Sequence, residues 1–325
     1  MIAVMLAGLM IPHPLVYVCP RVISTPKLDG RLDAAEWGHA PWTADFQDIE
    51  GDKKPKPRHR TRAKMMWDDE NLYIGAEMEE PHVWATLTEH DSVIFYDNDF
   101  EVFLDPDDDG HQYVEMELNA LNTTWDLLLP RPYRGGGPAL NGYEIMGMRT
   151  AVHVDGTLND PSDTDRGWSV EIAFPWRALR EVSRAAVPPK DGDLWRINFS
   201  RVQWKTNIEG GKYVKVPKTP EDNWVWSAQH TVDMHWPTRW GVLQFANATQ
   251  NLPAAKTLDA WSTRMELESL WSRQSAYRQE HGRFGSVAEL GLTVPGLTIE
   301  ASTNQFEATL GDYRVNQELR LWKFR

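Results

Sequence analysis

The chain has 325 residues, with 47 acidic and 34 basic side chains and a formal charge of −13. That length gives one large domain or two ordinary ones, with ample material for a hydrophobic core. The acidic balance excludes the basic face of a phosphate-backbone binder and the polybasic patch that docks on anionic membranes, so neither nucleic acid nor a membrane surface is an expected partner.

One cysteine, Cys19, excludes an internal disulfide framework and a cysteine-rich zinc or iron–sulfur site. Tryptophan is unusually abundant, 16 against 10 Phe and 9 Tyr. A large ring with a polar N–H suits half-buried and ligand-facing positions. A Trp-rich β core is the plainer reading for most of them.

Met1–Ile11 is an apolar run too short to cross a bilayer. It has the length of a signal-peptide apolar region, but no basic residue precedes it and no small-x-small cleavage site follows. Residues 1–21 therefore read as a lead-in or an atypical export signal. Strand signals dominate from there to about residue 245. Ala63–Trp67 and Leu72–Met78 flank the turn Asp68–Asn71. Phe100, Val102 and Leu104 alternate, as do Val114, Met116 and Leu118, with Glu115, Glu117 and Asn119 on the opposite face. Thr123–Leu129 and Ala151–Val154 follow. Trp168, Val170, Ile172 and Phe174 form a further strand, and Pro175 opens a short helix through Val182. Trp195, Ile197 and Phe199 alternate again, and Gly241–Phe245 closes the set. Short strands separated by Gly, Pro, Asn and Asp turns predict a mainly β protein, an antiparallel β-sandwich over 22–246. Thr257–His281 reads as a helix stopped by Gly282. With the strand-like stretches Leu297–Leu310 and Tyr313–Phe324 it makes 247–325 a small C-terminal α+β extension. Ser275–Leu292 is loosely similar to the end of a pilin-type helix.

Several residues carry candidate chemistry. Trp236 precedes Pro237 in a polar loop, where an indole can stack on a ligand or pack. Trp224 and Trp226 share a face if extended, as ligand contacts or as core. Arg201, Gln203 and Trp204 end a strand at a possible groove, where Arg201 forks onto hydroxyls or pairs with a carboxylate. Glu101, Glu115, Glu117 and Asn119 bind hydroxyls or a cation, or form the solvated side of a sheet. Asp105, Asp107 and Asp109 are acidic enough for calcium, but counting from Asp105 the twelfth position is Met116, not the glutamate of an EF-hand; a solvated turn is the alternative. Asp160, Asp163 and Asp165 form a similar loop. The basic cluster Lys53–Lys64 reads as a solvated loop. No nucleotide loop, G-x-S-x-G elbow or zinc-hydrolase motif is present.

Four stretches in order carry a resemblance: Pro26–Asp33 followed by Glu36-Trp37, Trp67–Ile74, Asp97–Asp105, and Gly167–Trp176. Over roughly Val22–Phe245 the chain resembles carbohydrate-binding module family 9, a β-sandwich family of the DOMON-like superfamily. The resemblance implies non-catalytic binding of plant-type polysaccharides or oligosaccharide ends, association with glycoside hydrolases in secreted systems, an extracellular or periplasmic setting, and calcium in some members. It also implies two tryptophans that sandwich a sugar. The first place falls on Phe95-Tyr96, a departure from Trp, and the second near His235-Trp236-Pro237. The candidate sugar contacts are thus Phe95, Tyr96, Glu101, Arg201, Gln203, Trp204, Trp226 and Trp236. Three other classes stay open: a protein-docking sandwich, a glycoside hydrolase component, and a haem-binding electron-transfer domain using residues such as Met234 and His235.

Overall fold

The computed structural model describes residues 11–324, so the apolar run from Met1 lies outside the described residues except for Ile11. In chain order the strands of the main body are β1 (Val16–Pro20), β2 (Gln47–Asp48), β3 (Thr61–Trp67), β4 (Asn71–Glu79), β5 (Asp99–Asp105), β6 (Tyr113–Asn119), β7 (Thr124–Leu129), β8 (Arg149–Asp155) and β9 (Gly167–Pro175). A short helix α1 (Trp176–Leu179) precedes β10 (Leu194–Gln203), β11 (Thr206–Glu209), β12 (Lys212–Lys215), β13 (Asp222–Val225) and β14 (Gly241–Ala246). The remainder forms α2 (Trp261–His281), β15 (Thr298–Ala301), β16 (Phe306–Leu310), β17 (Tyr313–Asn316) and β18 (Leu321–Lys323).

Two sheets make the expected sandwich. The first runs β1-β14-β10-β5-β6-β7, with β13 and β2 attached beside β10; the second runs β3-β4-β9-β8. Alternation in the sequence fixes which face turns inward. Phe100, Val102 and Leu104 of β5 meet Val114, Met116 and Leu118 of β6 in a core shared with Met65, Ile74, Val170 and Ile172 of the second sheet. Pairing is antiparallel throughout except between β1 and β14. Within the stretch read as a lead-in or atypical export signal, residues 16–20 are an edge strand, because Tyr17 and Cys19 bury themselves in the core and Val16 pairs with Val242.

The outer face of the second sheet is closed by the segment that carries the first motif. Glu171 on β9 accepts the Asp29 and Gly30 amides, each at 2.7 Å, and the Trp37 indole N–H at 2.6 Å. Gly30 has φ +82°, and a Cβ there would sit 2.3 Å from the Val152 carbonyl carbon, so this position requires glycine. Two of the four recognised stretches are thus one structural device, a strapped sheet.

The extension packs α2 on the antiparallel meander β15–β18, around Leu267, Leu270, Phe306 and Val315. Gly282, at φ +72°, ends the helix as expected. Leu258, Trp261 and Met265 lie against Val242, on the outer face of the first sheet. Asp108, in the β5–β6 turn, joins the two parts: it ion-pairs with Arg196 of β10 and Arg264 of α2, both at 2.6 Å. The extension therefore covers one end of that outer face. No helix among the described residues is long and apolar enough to cross a membrane.

Candidate carbohydrate-binding cleft

The uncovered end of the first sheet's outer face is a cleft of about 430 Å³. That lies within the range of about 300–1,000 Å³ typical of small-molecule sites. Because side chains alternate, the positions between the core residues of β5, β6 and β7 face it: Glu101, Glu115, Glu117 and Trp125. Glu101 stands directly opposite Glu117, and Glu117 opposite Trp125. Phe95 closes one side, and Tyr133 and His235 the other.

Three carboxylates in one nearly water-free floor are electrostatically costly. Burial pushes Glu101 up to about 7. Burial first, and then the neighbouring carboxylates, raise Glu115, Glu117 and the adjacent Asp99 well above the carboxylate range. Glu117 accepts the Phe95 amide at 3.0 Å, which anchors the aromatic rim to the acidic floor. Burial lowers His235 to about 4, so it is neutral at pH 7; its Nδ1 meets the Tyr113 hydroxyl at 3.0 Å and its ring stacks edge-on to Tyr133. Phe95 and Trp125 lie 6.5 Å apart at 33°. The Trp125 indole N–H is buried, with no hydrogen-bond partner among the described residues. Unmet donors and acceptors between aromatic surfaces can take a ring-shaped polyol: hydroxyls reach the carboxylates and C–H faces reach the rings.

The structure brings together only part of the residues read from sequence. Phe95 and Glu101 line the cleft. Tyr96 is exposed beside Phe95, outside the lining, and Trp204 is half-buried, donating its indole N–H to the Phe95 carbonyl at 2.8 Å. Lys215 Nζ sits 3.8 Å from the Trp204 ring centroid, so this indole already carries a cation on its ring.

Four residues are corrected. Trp236 is buried in the extension's core, its ring held between the guanidinium groups of Arg134 and Arg239 at 3.7 and 3.6 Å. Trp226 is core, pressed so closely on Gly241 that a Cβ there would meet the indole at 2.4 Å. Arg201 is fully buried and takes the alternative role: it ion-pairs with Glu80 at 3.0 Å and donates to Thr61 at 2.9 Å, tying the first sheet to the second. Gln203 is buried with it, its carbonyl accepting the Arg201 Nε–H at 3.0 Å. Trp224 is core as well, and Asn119 is spent on Leu87 and Asp97.

Glu115 and Glu117, left open as a solvated sheet face, are buried cleft residues. Trp125 and Tyr133 went unnoticed; alternation in β7 and its pairing with β6 were the signal for Trp125. Met234 and His235 are already engaged, the first accepting the Gln229 amide at 3.0 Å and the second meeting Tyr113.

The acidic turn is not a solvated one. Asp105 and Asp109 are buried, and one carboxylate oxygen from each of Asp105, Asp107 and Asp109 lies within 4.8 Å of the others. Asp107 Oδ1 is buried, with no hydrogen-bond partner among the described residues. Burial and then the neighbouring carboxylates raise Asp105 well above its usual range and Asp109 to about 7, despite Arg320 on Asp109. An all-oxygen donor set of three clustered carboxylates, only one of them ion-paired with Arg320, fits a hard cation such as calcium. In the second acidic loop Asp165 is a clamp, accepting the Val83 and Thr157 amides at 2.8 and 2.7 Å. The basic cluster is a paired surface, with Arg60 and Arg62 on Glu77 and Arg58 on Asp222.

A larger cavity of about 720 Å³ lies beside the second sheet. Both of its arginines are tied up in ion pairs with its own carboxylates, Arg60 with Glu79 and Arg166 with Asp155, which leaves the acidic cleft as the better candidate.

Comparison with known proteins agrees with this architecture. No curated protein matches the chain. A putative carbohydrate-binding protein from Bacteroides uniformis ATCC 8492 is similar at 16% identity and TM-score 0.51, over 71% of this chain and 99% of that one; at that identity the likeness speaks for the fold. A family 9 carbohydrate-binding module from Caldicellulosiruptor kristjanssonii in complex with cellotriose is similar at 16% identity and TM-score 0.45, over 74% of this chain and 100% of that one. The same organism's module in complex with glucose gives 15% identity and TM-score 0.44, over 74% and 99%. The model of the family described as carbohydrate family 9 binding domain-like matches residues 28–247, more than half of the chain, and the chain belongs to that family.

Proposed function

We propose that the cleft binds carbohydrate non-catalytically, seating a sugar ring against the aromatic surface formed by Phe95, Trp125 and Tyr133 with its hydroxyls on Glu101, Glu115 and Glu117. The observation that carries this reading is the buried Trp125 N–H, which has no hydrogen-bond partner among the described residues and lies beside three buried carboxyl groups whose crowding favours their protonated forms. Membership in the family supports it. The substrate class is plant-type polysaccharide or its oligosaccharide ends, and the setting is carbohydrate breakdown outside the cytoplasm, beside glycoside hydrolases. Calorimetric titration with glucose and with cello-, xylo- and manno-oligosaccharides tests it. One class is expected to bind at micromolar or weaker affinity, and Trp125→Ala is expected to weaken that binding at least tenfold, about 1.4 kcal/mol, in a protein whose circular dichroism is unchanged. Folded wild-type protein that binds none of these sugars would overturn the proposal.

Calcium at Asp105, Asp107 and Asp109 is proposed as a separate, structural role. Millimolar calcium is expected to raise the melting temperature by a few degrees, and a chelator to reverse it, through preferential binding to the folded state. Asp107→Asn is expected to remove the calcium response, because its unpartnered oxygen is the free ligand.

A further inference from the structure

A second cluster stands at the far edge of the first sheet. His90 and Asp91 lie in the β4–β5 connection, Asp126 on β7, and Glu144 in the loop before β8. His90 Nε2 is 2.8 Å from Glu144 Oε1, 3.4 Å from Asp91 Oδ1 and 3.8 Å from Asp126 Oδ1. Ligands bound tetrahedrally at 2.0–2.2 Å from one ion stand about 3.4 Å apart, and these separations bracket that value.

Two further observations single the cluster out from ordinary surface acids. Asp126 is 1% exposed, and its Oδ1, the oxygen that faces His90, is buried with no hydrogen-bond partner among the described residues. Its other oxygen is fixed by the Ile145 amide, so the carboxylate cannot turn away. His90 Nδ1 lies 2.9 Å from the Thr124 carbonyl, which can only accept, so Nδ1 carries the proton and Nε2 is directed at the carboxylates. A backbone carbonyl in that place is the outer partner that metal-bound histidines use to fix ring and tautomer.

We infer that His90, Asp91, Asp126 and Glu144 form a binding site for a divalent transition-metal ion of the zinc class. The imidazole separates it from the all-oxygen turn at Asp105–Asp109: nitrogen beside carboxylates favours zinc-like ions, and oxygen alone favours calcium. The two sites share no residue. The inference stands on this geometry and is independent of the carbohydrate reading.

The test is titration of metal-stripped full-length protein with Zn2+ by calorimetry, repeated with Co2+ while its visible absorption is recorded. One equivalent is expected to bind, and Co2+ is expected to give the intense bands of a low-coordinate nitrogen–oxygen site. His90→Ala and Glu144→Gln alter exposed side chains and are expected to weaken Zn2+ binding at least tenfold without changing the circular dichroism. Asp107→Asn is expected to leave Zn2+ binding as it was. Absence of Zn2+ binding, with the cluster then a protonated-histidine ion pair, would overturn the inference. So would binding that survives both His90→Ala and Glu144→Gln.

Discussion

Glu101→Gln is expected to yield a protein that is more stable at pH 8 and a poorer sugar binder. The stability half follows from proton linkage. In the unfolded chain this carboxyl titrates near 4.5, whereas burial holds it at about 7 in the fold. Between those values the folded state holds the extra proton, so stability falls as pH rises through the window and stays low above it. Glutamine carries no charge and escapes that loss. The displacement from 4.5 to about 7 corresponds to on the order of 3 kcal/mol, an upper figure because Glu115, Glu117 and Asp99 crowd the same floor. Urea titrations of both proteins at pH 4 and pH 8 are expected to coincide at the first and diverge at the second. The binding half has the opposite sign. A hydroxyl donating to a carboxylate gains about 1.5–3 kcal/mol, so the neutral amide is expected to bind sugar about ten- to a hundredfold more weakly. Wild-type affinity is expected to rise with pH through about 7 as Glu101 ionises. A variant that gains stability and keeps full affinity would remove Glu101 from the site.

Asp108→Asn is expected to cost about 3–5 kcal/mol, the usual consequence of leaving buried charge unpaired. Arg196 is 1% exposed and Arg264 2%; both ion-pair with Asp108, and Arg196 donates besides to the Trp240 carbonyl at 2.8 Å. Burial pushes Asp108 up, but the two guanidinium groups outweigh it and hold the carboxyl below its usual value. Its contribution is therefore present above the unfolded carboxyl pKa and lost as pH falls through the folded one. Asparagine keeps the shape and tolerates the left-handed backbone, φ 56°, that alanine would strain. Because Arg196 belongs to the sandwich and Arg264 to the extension, guanidinium melts followed by tryptophan fluorescence are expected to change from one transition to two. A loss below 1 kcal/mol would show that other contacts hold the two parts together.

Much of the sandwich was legible because period-two alternation is a local signal. Phe100, Val102 and Leu104 announce both a strand and its inner face within five residues, and the same holds at Trp168–Phe174. What failed was non-local. Nothing near Val16 reveals that its partner is Val242. Trp236 looked exposed because its neighbours are polar, but its burial is supplied by a core assembled from residues 267–321. Arg201 stood at a strand end, where a groove was expected, yet Glu80 and Thr61 reach it from the opposite sheet. In the cleft the carboxylates were visible as an alternating polar face. Their burial was not, since it depends on Tyr133 and His235 closing over them from distant loops.

The parallel pairing of β1 with β14 has a mechanical side. Five residues of β1 stand in register with β14, from Val16 opposite Val242 to Pro20 opposite Ala246. Tension entering at Val16 and leaving at Ala246 pulls the two strands along their lengths in opposite directions. Every ladder bond then carries load at once, in shear, instead of opening one after another like a zipper.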